Sequence, residues 1–305
     1  MTQPVDQIAK TRESLVALGL MSSAMLIIPI MDIIAKYLST SLPPLEITFG
    51  RFFFQFLICI LIALVAGRWQ QLRSKHLGIN LLRGTLLALA SLFFFTAVKF
   101  MPVATAISIF FVEPMILTIL AALILKEKFG PRRVVAIVIG LVGALLILRP
   151  SFADVGPAAL LPLCTALLFA FYLIINRRYA GADSLLAIQF SAGLAGSVIL
   201  GVALLIGSFL GLSDYTFIMP SGPNILLLIS IGAISFACHG LVVMAFQRGE
   251  ASLLAPLNYI EIVSATLFGY LVFGDFPDTM TWVGISLIVS SGLYIAHREQ
   301  KTRSK

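Results

Sequence analysis

The sequence predicts an all-α integral membrane protein with ten transmembrane helices, arranged as two inverted five-helix repeats. Three observations lead to this fold class: the composition, a set of long apolar runs, and an internal repeat. Of the 305 residues, 59% are hydrophobic and only 11% are charged, whereas an ordinary soluble domain has about 45–50% apolar and about 25% charged residues. This composition excludes a soluble globular enzyme and a disordered protein.

Ten apolar runs follow one another along the chain. A spanning helix needs about 20 apolar residues, so ten spans leave only short connectors. The runs are continuous and lack the two-residue alternation of a transmembrane β-barrel. Because lipid offers no partner to a free backbone N–H or C=O, each run is predicted to be a helix. The runs cover residues 15–37, 45–66, 79–99, 104–125, 132–148, 157–175, 184–210, 224–246, 251–273 and 280–296.

The first run is interpreted as a transmembrane helix and not as a signal peptide. It contains Asp32 and Lys36 and is too long and too charged for a cleavable core. The formal net charge of +7 does not indicate nucleic-acid binding, because the basic residues form short clusters between apolar runs. Such clusters are typical topology signals.

Those basic clusters also predict the orientation. With the N-terminus in the cytoplasm, sixteen of the 21 Lys and Arg residues fall in inside segments. Only Lys99 and Arg149 fall outside. Cytoplasmic loops carry such an excess of basic residues, so both termini are predicted to be cytoplasmic.

An internal repeat relates the two halves of the chain. A shift of 148 residues places Glu113 on Glu261, and a shift of 142 places Lys36 on Arg178. Five helices are an odd number, so the second half must enter the membrane upside down, which is a construction plan of secondary transporters. The predicted organisation is a cytoplasmic tail at 1–14, a first repeat at 15–150, a second inverted repeat at 157–298, and a basic cytoplasmic tail at 299–305.

Three segments carry a resemblance to a known family. They are DIIAKYLSTSLPPLEITFGRFFF from Asp32, LLRGTLLALASLFFFTAVKFMPVATAISIFFVEPMILTILAALILKEKFG from Leu81, and GEASLLAPLNYIEIVSATLFGYLVFGDFPDTMTWVGISLIVSSGLYI from Gly249. Together they resemble the EamA-type permeases of the drug/metabolite transporter superfamily, over nearly the whole chain. Within that family, the spacing of the charges after Asp32 and the GDFPD turn look closest to S-adenosylmethionine uptake carriers.

The resemblance implies a secondary transporter of the bacterial inner membrane that moves a small organic metabolite by alternating access. S-adenosylmethionine or a related cationic or zwitterionic compound is the expected substrate. Export of amino acids or other metabolites and import of riboflavin are the alternatives. The implied partners are this metabolite and the lipid bilayer, with no cofactor and no nucleic acid. A homodimer is also possible.

Two other classes of function fit the residues less well. A channel calls for a polar stripe along several helices, whereas the polar positions here cluster near one depth. An intramembrane enzyme calls for a motif such as His-Glu-x-x-His or Gly-x-Ser-x-Gly, and the sequence has neither. The Gly-x-x-x-x-Gly-Lys loop of ATP-hydrolysing proteins is also missing from the sequence.

Charged residues inside the runs are the first candidates for a substrate site. An ionisable group at the bilayer centre costs about 2.5–3.5 kcal/mol, so each needs a reason. Glu113 and Glu261 lie near the middle of their runs and are repeat mates. The functional interpretation is a pair of carboxylates facing a central cavity. The alternative is that each accepts a hydrogen bond from a neighbouring helix and fixes packing.

Asp32 and Arg51 are charged residues of the first two runs. Asp32 follows Pro29, whose ring removes a backbone donor, and it could pair with Lys36 one turn later. Lys36 lies near the outer end of its helix and is interpreted as structural. Arg51 is expected to find a partner such as Asp32 or a backbone carbonyl. It could hold an outer gate closed or bind a carboxylate.

Two prolines interrupt repeat-related runs. Pro114 and Pro256 cannot donate to the carbonyls four residues earlier, and free carbonyls at membrane depth are tolerated where they line a cavity. Asn258, Tyr259 and Glu261 follow Pro256 closely and form the densest polar cluster in any run. This cluster is the first choice for substrate contact.

Aromatic residues and one histidine complete the candidates. Phe94, Tyr172 and Tyr259 could stack on a planar ligand. His239 could carry a proton near neutral pH, or a neighbouring carbonyl could satisfy it. The predicted substrate-binding residues are Asp32, Arg51, Phe94, Glu113, Tyr172, His239, Asn258, Tyr259 and Glu261, and no metal site or catalytic residue is predicted.

The predicted orientation gives a direct test. The connector 126–133 is basic, whereas its counterpart 274–279 has two Asp and no base, so the two are expected on opposite faces. Single cysteines at Gly130 and Thr279 of a Cys-free variant are expected to react with an impermeant thiol reagent from opposite sides. Reaction from the same side would contradict the inverted arrangement.

Overall fold

The computed structural model describes residues 3–124, 131–179, 183–212, 215–248 and 254–303, and in these ranges the regular structure is helical throughout. We number the α-helices in chain order. They are α1 (Gln3–Leu38), α2 (Pro44–Val65), α3 (Leu77–Phe100), α4 (Val103–Phe110), α5 (Glu113–Ile124), α6 (Pro131–Val155), α7 (Leu161–Arg178), α8 (Leu185–Phe209), α9 (Gly222–Arg248), α10 (Ile260–Phe273) and α11 (Thr279–Arg303). Short 3-10 helices cover Trp69–Leu72, Gly156–Leu160 and Ala255–Tyr259.

Eight segments of the described chain are long and apolar enough to cross a membrane. They are Glu13–Leu38, Pro44–Val65, Leu77–Phe100, Val103–Ile124, Ser151–Asn176, Leu185–Phe209, Gly222–Arg248 and Pro256–Phe273. Two further apolar helices, Val134–Leu148 and Thr279–Ile295, are shorter. They fall on the fifth and tenth runs, so the all-α membrane fold is confirmed at the level of these ten apolar segments.

The outer surface of the bundle is apolar. Phe209 is 90% exposed and Val65 is 82% exposed, and many other large apolar side chains are exposed along the same helices. A soluble monomer rarely exposes so extensive an apolar surface. The bilayer is the solvent that this surface requires.

The interruptions predicted at the two prolines are confirmed. The fourth run is divided into α4 and α5 by a turn at Phe111–Val112, directly before Pro114. In the ninth run the 3-10 helix that contains Pro256 precedes α10. By contrast, α1 is continuous through Pro29. Two helices therefore begin in the interior of apolar runs.

Most helix contacts join the first half, α1–α6, to the second half, α7–α11. These contacts are α1 on α9 and α10, α2 on α8 and α9, α3 on α7 and α8, α4 on α10, α5 on α7, and α6 on α11. When each helix is replaced by its repeat mate in the other half, every contact becomes a contact of the same set. The pairing of α1 with α9, for example, corresponds to that of α7 with α3. The interior of the protein is therefore the interface between the halves.

Small residues let these helices approach closely. A Cβ built on Gly193 of α8 would lie 3.0 Å from backbone atoms of Phe56 in α2. A Cβ on Gly84 of α3 would lie 2.7 Å from the Ala192 Cα of α8. Backbone contact of this kind replaces the hydrophobic effect, which does not drive helix association in lipid.

One correction concerns Lys36, which does not pair with Asp32. Its ammonium instead forms an ion pair with Asp275 in the α10–α11 connector and lies 4.7 Å from the ring centroid of Phe273. Gly274 has a φ of 72° and ends α10 in the left-handed conformation that glycine favours. This turn brings Asp275 to the end of α1, so the pair joins the two halves at one end of the bundle.

A second contact joins the halves at the opposite end. Asp183, before α8, accepts hydrogen bonds from the Ser74 hydroxyl (3.0 Å), the Lys75 N–H (2.6 Å) and the Asn80 amide (2.8 Å). Burial raises the pKa of Asp183, but these hydrogen bonds and one from the His76 N–H lower it below its usual value overall. The carboxylate is therefore ionised at neutral pH and fastens this end.

The glycine contacts yield a stability prediction. Gly84→Ala is expected to lower stability by about 1–3 kcal/mol, because the new methyl meets backbone that cannot move aside cheaply. Gly19→Ala, also within a helix, is the matched control, since a Cβ there meets nothing within 4 Å. Thermal unfolding of the purified variants in detergent measures both. Equal melting temperatures would contradict the close α3–α8 contact.

Candidate functional site

The guanidinium of Arg51 lies at the centre of the interface between the halves. Its Nη1 donates to the Ser91 hydroxyl of α3, and its Nε donates to the Ser235 hydroxyl of α9 at 3.2 Å. The guanidinium carbon lies 5.0 Å from the ring centroid of Phe52 and 5.9 Å from that of Phe95. Arg51 is thus held by one serine from each half and by two aromatic rings.

A chain of amide hydrogen bonds extends from this point. The Ser235 hydroxyl donates to Gln55 Oε1 at 3.0 Å, and Gln55 Nε2 donates to Gln189 Oε1 at 3.3 Å. Gln189 Nε2 then donates to the Phe236 carbonyl at 3.3 Å. Helices α2, α8 and α9 are joined by this chain in an interior without bulk water, where each unmade hydrogen bond is costly.

Two carboxyl groups lie close enough to this centre to interact electrostatically. Asp32 of α1 interacts with Arg51, and Glu261 of α10 interacts with Asp32. Cys238 of α9 interacts with all three. We call Asp32, Arg51 and Glu261 the charge cluster. It joins α1, α2 and α10, and within it Asp32 interacts with both Arg51 and Glu261.

Arg51 was expected to bind Asp32 or a backbone carbonyl. Its hydrogen bonds go instead to the two serine hydroxyls, and Asp32 acts on it at longer range through its charge. The expectation was therefore right about Asp32 as an electrostatic partner and wrong about the hydrogen bonds. An arrangement in which serines hold the guanidinium leaves the carboxyl groups for other ligands.

His239 and Tyr172 border the same centre. Both interact electrostatically with Arg51, and the Tyr172 hydroxyl is hydrogen-bonded with Asn176. Like Glu261, they lie deep among the helices yet are only half-buried by accessible surface.

Aromatic rings form a continuous array that crosses from one half to the other. Tyr172 packs on Phe169 with ring centroids 5.4 Å apart, and Phe169 packs on Phe110 at 5.6 Å. Phe110 is followed by Phe111 at 5.9 Å, and Phe111 by Tyr259 at 5.0 Å. The array begins beside Arg51 and ends on the segment before α10.

Phe94 is a side branch of this array, with its ring centroid 6.3 Å from that of Phe110. Glu113 is the first residue of α5 and interacts electrostatically with Tyr259. Asn258 precedes Tyr259 in the 3-10 helix and is half-buried. The repeat-related acids Glu113 and Glu261 thus have different neighbours, since Glu113 interacts with Tyr259 and Glu261 with Asp32.

The location of these two acids has a local cause. Each lies in the first turn of a helix that begins after a proline-associated break. The first turn of a helix presents unpaired backbone N–H groups and the positive end of the helix dipole, which stabilise a negative charge. In lipid, discontinuous helices of this kind form ion and substrate sites.

Several members of this site were not predicted from the sequence. They are Gln55, Ser91, Phe169, Gln189, Ser235 and Cys238. Most of these are neutral polar residues that stand alone in an apolar run, and they lack the large cost in lipid that singles out an ionisable group. The signal that could have found Gln55 and Gln189 is an amide with four hydrogen-bonding positions inside an apolar run, since burial obliges it to find partners.

The sequence profile of a family described as the EamA-like transporter family matches residues 15–149 and 156–296. The S-adenosylmethionine uptake transporter of Rickettsia prowazekii is 31% identical over 274 residues, which are 90% of this chain and 90% of that protein. The riboflavin transporter of Vibrio cholerae is 28% identical over 288 residues, covering 92% and 93%.

A solved crystal structure is also similar. It aligns with a TM-score of 0.64 over 92% of this chain and 96% of its own, at 20% sequence identity. At this identity the likeness concerns the fold alone.

The charge cluster yields a prediction for stability. Arg51→Gln leaves the buried Asp32 without its cation, and removing one partner of a buried pair costs up to about 3–5 kcal/mol. The double variant Asp32→Asn/Arg51→Gln is expected to recover part of that loss. Thermal unfolding of the two variants and the single Asp32→Asn gives the coupling. Strictly additive effects would contradict the interaction between Asp32 and Arg51.

Proposed function

The chain belongs to the EamA-like transporter family, and on this premise we propose that it carries S-adenosylmethionine or a closely related zwitterion with a planar ring. The family and the named relatives make it a membrane transporter of a small metabolite and not an enzyme. The observation that carries the proposal is the charge cluster, with Asp32 and Glu261 set against Arg51 beside an aromatic array.

The chemistry of S-adenosylmethionine matches the groups around this cluster. The compound has a cationic sulfonium and an ammonium group, one carboxylate and a planar adenine. Asp32 and Glu261 supply carboxyl groups for the two cations, and Arg51 supplies a cation for the carboxylate. In an interior of low dielectric, such attractions are several times larger than in water. The rings from Tyr172 to Tyr259 offer faces for the adenine.

Relatives support the same substrate. Four S-adenosylmethionine uptake transporters from Rickettsia species are 27–31% identical to this chain over 90% of its length. Their names describe those proteins, and the shared length allows the substrate to be proposed here.

Riboflavin is the second candidate. The relatives of this chain include riboflavin transporters that match 86–92% of its length. The specific observation that favours riboflavin is the aromatic array, which would accommodate its planar and uncharged ring system. Riboflavin, however, gives the acids of the charge cluster no cation to bind.

We propose alternating access between two inverted halves as the mechanism. The exchange pattern of helix contacts supports a two-fold relation between the halves, and with five spans in each half the axis lies in the membrane plane. The resulting ten spans put both termini on the same face, and the basic clusters of the sequence favour the cytoplasm for that face. The Lys36–Asp275 pair then closes the outer end and the Asp183 contacts close the inner end, and each opens in turn.

Counterflow in proteoliposomes tests the substrate. Wild-type protein is expected to accumulate labelled S-adenosylmethionine against excess unlabelled compound inside, with saturation. Glu261→Gln is expected to lower the rate about tenfold, since one lost charge contact of about 1.4 kcal/mol has that effect. Glu13→Gln is the matched control, because the same change is made at an exposed residue paired with Arg248 at 3.5 Å.

The competitors decide between the candidates. S-adenosylhomocysteine is expected to compete with the label because it keeps the amino acid and the adenine. Competition by riboflavin and by neither sulfur compound would overturn the proposal in favour of the second candidate. If Glu261→Gln transported at the wild-type rate, Glu261 would not belong to the substrate site.

A further inference from the structure

The hydroxyl of Tyr259 occupies the space that a side chain would take at Gly292. A Cβ built on Gly292, in α11, would fall on the Tyr259 hydroxyl oxygen and lie 2.9 Å from its Cζ atom. The tyrosine therefore inserts its tip into the surface of α11 at a residue without a side chain. Any larger residue at position 292 must push the ring out.

We call the surface of α11 at Gly292 the seat of Tyr259. The position of the ring depends on this seat because the backbone around Tyr259 is irregular. It is the last residue of the 3-10 helix Ala255–Tyr259, which contains Pro256 and gives way to α10 at Ile260. A 3-10 turn has poorer hydrogen-bond geometry than an α-helix. The position of the ring thus depends on its tertiary contacts, which are Gly292 at the hydroxyl and Phe111 at the ring face.

The seat itself is held firmly. Helix α11 packs on α6 with its backbone in direct contact, since a Cβ on Gly143 would lie 2.8 Å from the carbonyl oxygen of Gly284. Beside Gly292, the Ser291 hydroxyl donates to the Ala136 carbonyl of α6. The α6–α11 pair therefore acts as a fixed support, and Tyr259 is anchored to it across the interface with α10.

We infer that Gly292 is a positioning residue for substrate recognition. Because Gly292 has no side chain, it leaves room for the Tyr259 hydroxyl and so holds the ring at the end of the aromatic array. There the ring contacts the planar group of the substrate. The inference rests on the proposed function and deepens it, because it makes a planar ring a requirement for binding. It also assigns a role in specificity to α11, which contributes none of the residues of the charge cluster.

The test compares four variants. Gly292→Ala is expected to raise the KM for S-adenosylmethionine counterflow about tenfold, the scale of one lost aromatic contact, with little change in the maximal rate per folded protein. Gly292→Ala/Tyr259→Phe is expected to restore most of the KM, because it removes the oxygen on which the methyl falls and leaves only a small shift of the ring tip, whose Cζ lies 2.9 Å from the new methyl. Tyr259→Leu removes the ring without crowding α11 and is expected to raise the KM to the same extent.

Gly143→Ala is the control for crowding alone. It introduces a comparable clash between α6 and α11 but does not touch Tyr259, so it is expected to lower the melting temperature and leave the KM unchanged. An unchanged KM in Gly292→Ala or in Tyr259→Leu overturns the inference, as does failure of Tyr259→Phe to rescue Gly292→Ala. Rescue of the melting temperature by the same double variant tests the seat without any substrate.

The two proposals fail in different ways. If the wild type shows no saturable S-adenosylmethionine counterflow, the proposed substrate is wrong, and the same variants are measured with riboflavin, which also has a planar ring. If the wild type transports either compound and all the variants keep its KM, the inference on Gly292 is wrong while transport stands.

Discussion

A guanidinium buried between two halves of a membrane protein is the constraint on which the rest of the structure depends. Arg51 cannot leave its charge in lipid, so hydrogen-bond acceptors, an acid and aromatic rings surround it. Serines from both halves accept its hydrogen bonds, and Asp32 of α1 interacts with its charge. The same groups that make the arginine tolerable form the proposed site for a zwitterion.

Interrupted helices are the second feature that shapes the proposed site. The breaks before α5 and α10 come from proline, yet their chemical effect is on Glu113 and Glu261, which gain the positive end of a helix. The break before α10 also leaves Tyr259 in a 3-10 segment that Gly292 must hold in place. Prolines in the sequence thus shape the proposed site, because they determine where the helices begin.

Much of the fold could be predicted from the sequence, because hydropathy and proline act locally. The apolar segments, the two breaks and the interaction between Asp32 and Arg51 were expected and are found. The pairing of Lys36 was wrong, since helical spacing reveals Asp32 but not Asp275, which a left-handed turn brings from 239 residues away. Gln55 and Gln189 were missed for a related reason, because their partners exist only after the halves pack together.

Equilibrium binding to the purified protein tests the central claim most directly, since it separates recognition from transport. Isothermal titration with S-adenosylmethionine is expected to give a single saturable site in the wild type. Asp32→Asn is expected to weaken binding about tenfold, as for one lost charge contact, whereas Lys99→Gln at the end of α3 leaves it unchanged. Equal affinity in the wild type and Asp32→Asn would contradict recognition by the charge cluster.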